Sequence, residues 1–173
     1  MLRRIDQSLF DAVGAEALAS QRLRRNHNLH GESDPVQRFL NVLQPGTYVR
    51  PHRHRRDPPC AGFECFLVLQ GSIGLLLFDD QGRVTAREQL EATGPLHGIE
   101  LSEGVWHSLV ALESQSVIFE LKQGPYQPTA DKDFLPGFPL EGSHDAAQLE
   151  SRWRGLFDRG LARLQHQPEV TSD

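Results

Sequence analysis

The sequence predicts an all-β fold, a double-sheet jelly roll or double-stranded β-helix, with one short helix near each end of the chain. Three observations predict it. From Val36 onward eight short apolar runs follow one another, with turn signals between them and no helices intervening. Glycine punctuates these runs at Gly46, Gly71, Gly82 and Gly104. Apolar residues recur at helical spacing only outside this region. Many short strands without helices between them pack as a sandwich or barrel.

The elements follow in order. Leu9, Phe10, Val13, Ala17 and Leu18 lie near i, i+4, i+8 spacing, so residues 8–22 read as an amphipathic helix with Ser8 as its cap. RRNHNLHGESDP reads as an irregular arm, and residues 1–35 form an N-terminal helix and arm. The strands VQRFLNVL, GTYVRPHRH, ECFLVLQ, SIGLLLFDD, RVTAREQLE, GIELSE, VWHSLVALE and SVIFELK fill residues 36–123, the barrel. Residues 124–173 hold a Pro/Gly-rich surface tail without a strand, GPYQPTADKDFLPGFPLEGS, and a last helix capped by Ser143. Leu149, Trp153, Leu156, Phe157 and Leu164 form its apolar face, which docks on its own domain. The last seven residues are expected to fray.

At 173 residues, 38% apolar and 24% charged, the chain fits one soluble domain able to bury a core. No apolar run reaches the roughly 20 residues of a membrane span, and Asp6 and Asp11 interrupt what a signal peptide would need. Cys60 and Cys65 supply no disulfide framework, which points to free thiols and a cytoplasmic location. Cys60, on the loop before Glu64, is a minor alternative metal ligand. The net charge of −5 argues against a nucleic-acid partner. Arginines cluster at Arg22, Arg24 and Arg25 and again at Arg50, Arg53, Arg55 and Arg56, which fits either anion binding or a bias of composition.

The chemistry concentrates between Gly46 and Gly71. His52 and His54 stand two apart on a strand, so their imidazoles leave the same face. Glu64 opens the next apolar run, and His107 offers a third imidazole from EGVWHSLV. Three imidazoles and a carboxylate suit one divalent transition metal (Fe, Mn, Ni, Co, Cu or Zn) and suit Ca or Mg poorly. The glycines frame them: Gly46 lies six residues before His52, Gly71 seven after Glu64, and Gly104 three before His107.

These spacings resemble the two motifs of the cupin superfamily. The first is matched by Gly46, His52, His54, Glu64 and Gly71, and the second by Gly104 and His107. The sequence departs from the pattern in three places: nine residues separate His54 from Glu64, Ser102 stands where the second motif has proline, and Ala111 stands where an asparagine often follows. The extra residues, RRDPPCAG, are turn-forming and read as a lengthened surface loop that leaves Glu64 in register. More narrowly, text from Arg24 to Phe138, including RRNHNLHGESDPVQRFLNVLQPGTYVRPHRH and ELKQGPYQPTADKDF, resembles WbuC-type cupin-fold metalloproteins. The resemblance implies a jelly-roll cupin barrel, the metal ligands His52, His54, Glu64 and His107, and a homodimer. It also implies an association with O-antigen and polysaccharide biosynthesis.

Strand parity places Tyr48 and Arg50 on the face of His52 and His54, where Arg50 suits an anionic ligand or, equally, an ion pair with a core carboxylate. The resemblance extends to NHNLH, which implies that the arm presents Asn28 and His30 to the pocket. His97, His144 and His166 carry no motif and read as surface. Three functional classes remain: a metal-dependent enzyme on a small anionic or sugar-derived molecule, a dioxygenase included; a non-catalytic metal-containing binding module; and a structural cupin, which four retained ligand types disfavour.

Overall fold

A computed structural model describes residues 2–55, 62–126 and 133–158. Two helices, α1 (Gln7–Ala19) and α2 (His144–Gly155), flank ten strands: β1 (Arg24–Asn28), β2 (Val36–Leu43), β3 (His52–Arg53), β4 (Phe63–Gln70), β5 (Ser72–Phe78), β6 (Val84–Glu91), β7 (Gly98–Ser102), β8 (Trp106–Ala111), β9 (Ser116–Gln123) and β10 (Asp133–Phe134). They form two five-stranded antiparallel sheets, ordered β1-β2-β9-β4-β7 and β10-β3-β8-β5-β6. Among the described residues no helix is long and apolar enough to cross a membrane.

Alternation along the strands sends one set of side chains between the sheets and the other set outward. Leu43, Phe66, Ile73, Leu75, Leu109 and Ile118 meet in the inner core. The outer faces are covered as well. Phe10, Val13 and Ala17 of α1 pack on Leu40, Val42 and Val117, and Trp153 of α2 packs with Leu76, Phe78 and Val110. A central strand covered on both sides is buried throughout, as all six residues of β8 are.

The turn after β4 needs glycine. Gly71 has φ +72°, and a Cβ there would approach the backbone of Ser116 to 3.1 Å. This close approach joins the β4–β5 turn to the start of β9, where the Ser116 hydroxyl donates to the Ser72 carbonyl at 2.9 Å.

Four expectations are corrected. Helix α1 is capped by Asp6, whose carboxylate accepts from the Leu9 N–H at 3.1 Å, so Ser8 lies inside the helix. The arm is not irregular at its start: Arg24–Asn28 pairs with β2 as an edge strand, because backbone pairing requires no apolar alternation. The tail does contribute a strand, since Phe134 pairs with His52. The expected strand GTYVRPHRH is reduced to His52–Arg53; Pro51 has no N–H to give a ladder. Ser143 caps α2 as expected, accepting from the Ala146 N–H at 3.2 Å. Arg56, Cys60, Arg159, Arg163, Leu164, His166 and the last seven residues lie outside the described residues.

Most of the clustered arginines are structural. Arg24, buried, donates to Glu141 at 2.6 Å and to the Tyr48 carbonyl at 2.9 Å, while Arg22 reaches Glu141 at 2.9 Å. Arg25 pairs with Glu16. Arg53 pairs with Asp133 and lies over the Trp106 ring, 3.9 Å from its centroid. Burial pushes the Glu141 carboxyl upward, but the Arg24 guanidinium outweighs it and holds the pKa below its ordinary 4.5. This pair therefore stabilises the fold fully above pH 4.5, and the contribution is lost as pH falls through the lower folded-state pKa. Glu141→Gln should be less stable than wild type at neutral pH, with the gap closing toward acid in denaturant titrations at stepped pH. Trp153→Ala should cost about 3–5 kcal/mol in the same titration, because it empties the cluster beneath α2.

Candidate metal centre

His52 and His107 are cross-strand partners of β3 and β8, which sets their rings 4.5 Å apart between centroids. His54 follows just past β3, its ring 5.1 Å from that of His52 and 5.9 Å from that of His107. The Gly104 N–H donates to the His54 carbonyl at 3.0 Å, which ties the β7–β8 turn to the end of β3. All three histidines are buried, and one ring nitrogen of each lies within 4.8 Å of the others.

The ring orientations suit a cation. His52 Nδ1 lies 2.9 Å from the Arg50 carbonyl, and His107 Nδ1 lies 3.0 Å from the Val105 carbonyl. A carbonyl only accepts, so Nδ1 of His52 and of His107 carries a proton and the Nε2 edge of each ring faces the cluster. This is the outer support that metal-bound imidazoles require. Glu64, on the inner face of β4, places Oε2 3.0 Å from His107 Nε2 and Oε1 3.3 Å from His54 Nε2. Burial raises its pKa, but His107 and then His54 outweigh this and hold the carboxyl well below 4.5, in its charged form. A cavity of about 10 Å³ touches His54, Glu64 and His107, room for one water-sized group. The three histidines could hold a metal ion, with the Glu64 carboxylate beside them.

Other expected site residues fall in different places. Tyr48 does not face the histidines. It stacks on Trp153 at 5.7 Å, and its hydroxyl donates to the Pro139 carbonyl at 3.2 Å. The parity argument fails because Val49, its neighbour, takes the inward position and the strand is interrupted before His52. Burial pushes the Tyr48 hydroxyl up to about 12, so it stays protonated under α2. Arg50 is half-buried with its guanidinium 5.0 Å from the Phe134 centroid, and that ring lies 6.2 Å from His52. Its Nε is buried and has no hydrogen bond among the described residues. Asn28 is exposed on β1 opposite Phe39. The N–H of Arg38 donates to His30 Nδ1 at 3.0 Å, and the His30 ring lies 6.0 Å from that of Phe39. Cys65, next to Glu64 on a strand, points to the opposite face, away from the histidines, as a free thiol raised by burial.

Register also reveals residues that the sequence reading passed over. Cross-strand partners share a face, so Glu64 is followed across the sheet by Lys122 and Gln37, and Phe66 by Glu120 and Phe39. Asn41 lies on the same inner face, opposite Ile118. Gln37, Asn41, Glu120 and Lys122 are all buried. The signal in the sequence was the alternation in SVIFELKQ, but a polar alternate reads as solvent-facing until the fold shows what lies opposite.

A domain of unknown function (DUF6016) matches residues 5–90, a span that includes His52, His54 and Glu64 and ends before His107. No curated protein matches the chain. Among solved structures, CapF crystallised with the inhibitor 3-isopropenyl-tropolone is 19% identical with a TM-score of 0.51, over 62% of this chain and 30% of that one. KdgF from Halomonas sp. is 19% identical with a TM-score of 0.47, over 61% and 83%. A cupin superfamily protein from Desulfitobacterium hafniense DCB-2 is 17% identical with a TM-score of 0.45, over 58% and 76%. The chain thus spans less than a third of the length of CapF, and the likeness is one of fold. The fold itself is an antiparallel jelly roll, two sheets of five strands with two short helices.

His107→Ala should destabilise metal-free protein by about 3–5 kcal/mol, because it leaves the buried Glu64 carboxylate without its nearer partner. Chemical denaturation after chelation reads this loss.

Proposed function

We propose that this chain is a metal-binding single-domain cupin that acts on a small, anionic or sugar-derived molecule, with His52, His54 and His107 as ligands and Glu64 as the fourth. The observation that carries the reading is the convergence of three buried imidazoles, two with Nδ1 turned to backbone carbonyls, beside a buried carboxylate. When bound, such a divalent transition metal polarises a substrate oxygen or activates water or oxygen. The chain's own residues orient the rings, keep the carboxylate charged and supply Arg50 beside His52 as an anion-binding group. By resemblance, the chain belongs with the WbuC-type proteins and with polysaccharide biosynthesis, as a homodimer in the cytoplasm.

A second reading, a metal-containing binding module without turnover, gains from one observation. Tyr48, the expected proton donor, is stacked under α2 and is not available to the site.

Elemental analysis of purified protein should find near one transition metal per chain, and the double variant His52→Ala, His54→Ala should lose it. Unchanged metal content in that variant would place the metal elsewhere. Metal-free protein reloaded with Fe(II), Mn(II), Ni(II) or Zn(II) and screened against nucleotide-sugars and small keto and hydroxy acids, with and without oxygen, separates the two readings. Product formation abolished by Glu64→Gln supports the enzyme, and tight binding without product supports the module.

A further inference from the structure

We infer that Glu103 is a positioning residue of the metal centre, through which the turn between β7 and β8 holds ligands from both sheets in register. The inference rests on the proposed reading of the metal centre and adds to it a residue that acts through the backbone around the ligands.

The ligands are divided between the sheets. His54 follows β3 and His107 lies on β8 in one sheet, whereas Glu64 lies on β4 in the other. Nine residues separate His54 from Glu64, and a chain of that length can span roughly 30 Å when extended. The covalent connection therefore leaves the distance between these two ligands open.

The β7–β8 turn crosses between the same two sheets, and each of its three residues holds a segment that carries a ligand. On the β4 side, the Glu103 N–H donates to the Gly62 carbonyl at 3.1 Å, and the Gly62 N–H donates back to Glu103 Oε2 at 2.5 Å. Gly62 stands two residues before Glu64. On the other side, the Gly104 N–H donates to the His54 carbonyl at 3.0 Å, and His107 Nδ1 donates to the Val105 carbonyl at 3.0 Å. One turn thus ties the carboxylate's strand to two of the imidazoles. Glu103 also lines the small cavity that His54, Glu64 and His107 touch.

Gly104 and Val105 act in this turn through their backbone, and Glu103 brings a side chain to it. A carboxylate accepting from a backbone N–H makes a charge-assisted bond, roughly twice as strong as a neutral one. Gly104 has φ +82°, a left-handed conformation that a side chain would strain. Outer supports of this kind change metal affinity by about 10–100-fold when they are removed.

The test is competition between metal-free protein and a chromogenic chelator for Zn(II), together with the visible spectrum of the Co(II)-loaded protein. Glu103→Ala should weaken Zn(II) binding at least about tenfold and alter the Co(II) bands. Glu103→Gln, which can still accept from the Gly62 N–H, should stay within about threefold of wild type. Gly104→Ala should weaken Zn(II) from the other end of the turn, and Glu100→Ala, on the outer face of β7 opposite Cys65, should leave it unchanged. A merely structural Glu103 would lower the denaturation midpoint of Glu103→Ala yet leave the Zn(II) affinity and Co(II) spectrum of the folded protein as in wild type, and that result would overturn the inference. Should Glu103→Ala fail to fold, Glu103→Asp, one methylene short of Gly62, reads the same loss. Wild-type protein that binds Zn(II) with an affinity indifferent to Glu103 sinks this inference alone, whereas wild-type protein that binds no Zn(II) sinks the metal reading with it.

Discussion

A carboxylate and three imidazoles buried together between two sheets set the conditions for the rest of this molecule. An isolated charge in a protein interior is expensive, so Glu64 persists there only with His107 at 3.0 Å and His54 at 3.3 Å. Those rings must in turn be held. Two backbone carbonyls fix His52 and His107, and pairing of β3 with β8 fixes the spacing between them. The two-residue length of β3 is enough because the strand is pinned on both sides, by β8 and by β10.

The polar interior has a consequence for how the fold is stabilised. Part of the space between the sheets is given to polar groups, and the remaining inner core is limited to one cluster around Phe66, Ile73 and Leu75. The two outer clusters extend it. Helix α1 and helix α2 each bury an outer sheet face, adding apolar area in proportion to the surface they cover. The helices are thus part of the hydrophobic stabilisation, and α2 is anchored further by the tail before it, where Glu141 grips Arg24 and Arg22. The same tail supplies β10, and with it the Phe134 ring between Arg50 and His52.

The interior is divided between apolar and polar groups. A wholly apolar jelly roll would present no reason to bind a polar molecule. Here one register joins His52 to His107, and others set Glu64 beside Lys122 and place Asn41 and Glu120 on the same inner face, from elements far apart in the chain. Tyr48, although four residues from His52, is excluded from the group because the chain turns over between them, with Val49 entering the core.

The local text determined a good deal by itself. Eight apolar runs between turn residues define strands in any context, since backbone sterics and side-chain alternation act over a few residues. The His-x-His spacing, the Glu that opens the following run and the later histidine identify a candidate metal centre for the same reason. Tertiary structure alone decided which face of each strand is the inside. In β9 the apolar residues Val117 and Phe119 face outward toward α1, and Glu120 and Lys122 face inward, the reverse of what the hydrophobic pattern suggests. Alternation reports that two faces differ, but not which face meets a helix and which meets a polar chamber. The edge strand Arg24–Asn28 was hidden on similar grounds: its sequence has no apolar alternation, and only the free edge of β2 gives its backbone a partner. The position of Tyr48 was likewise undetermined, because a break in strand parity before His52 becomes visible only when Val49 is seen to take the inner place.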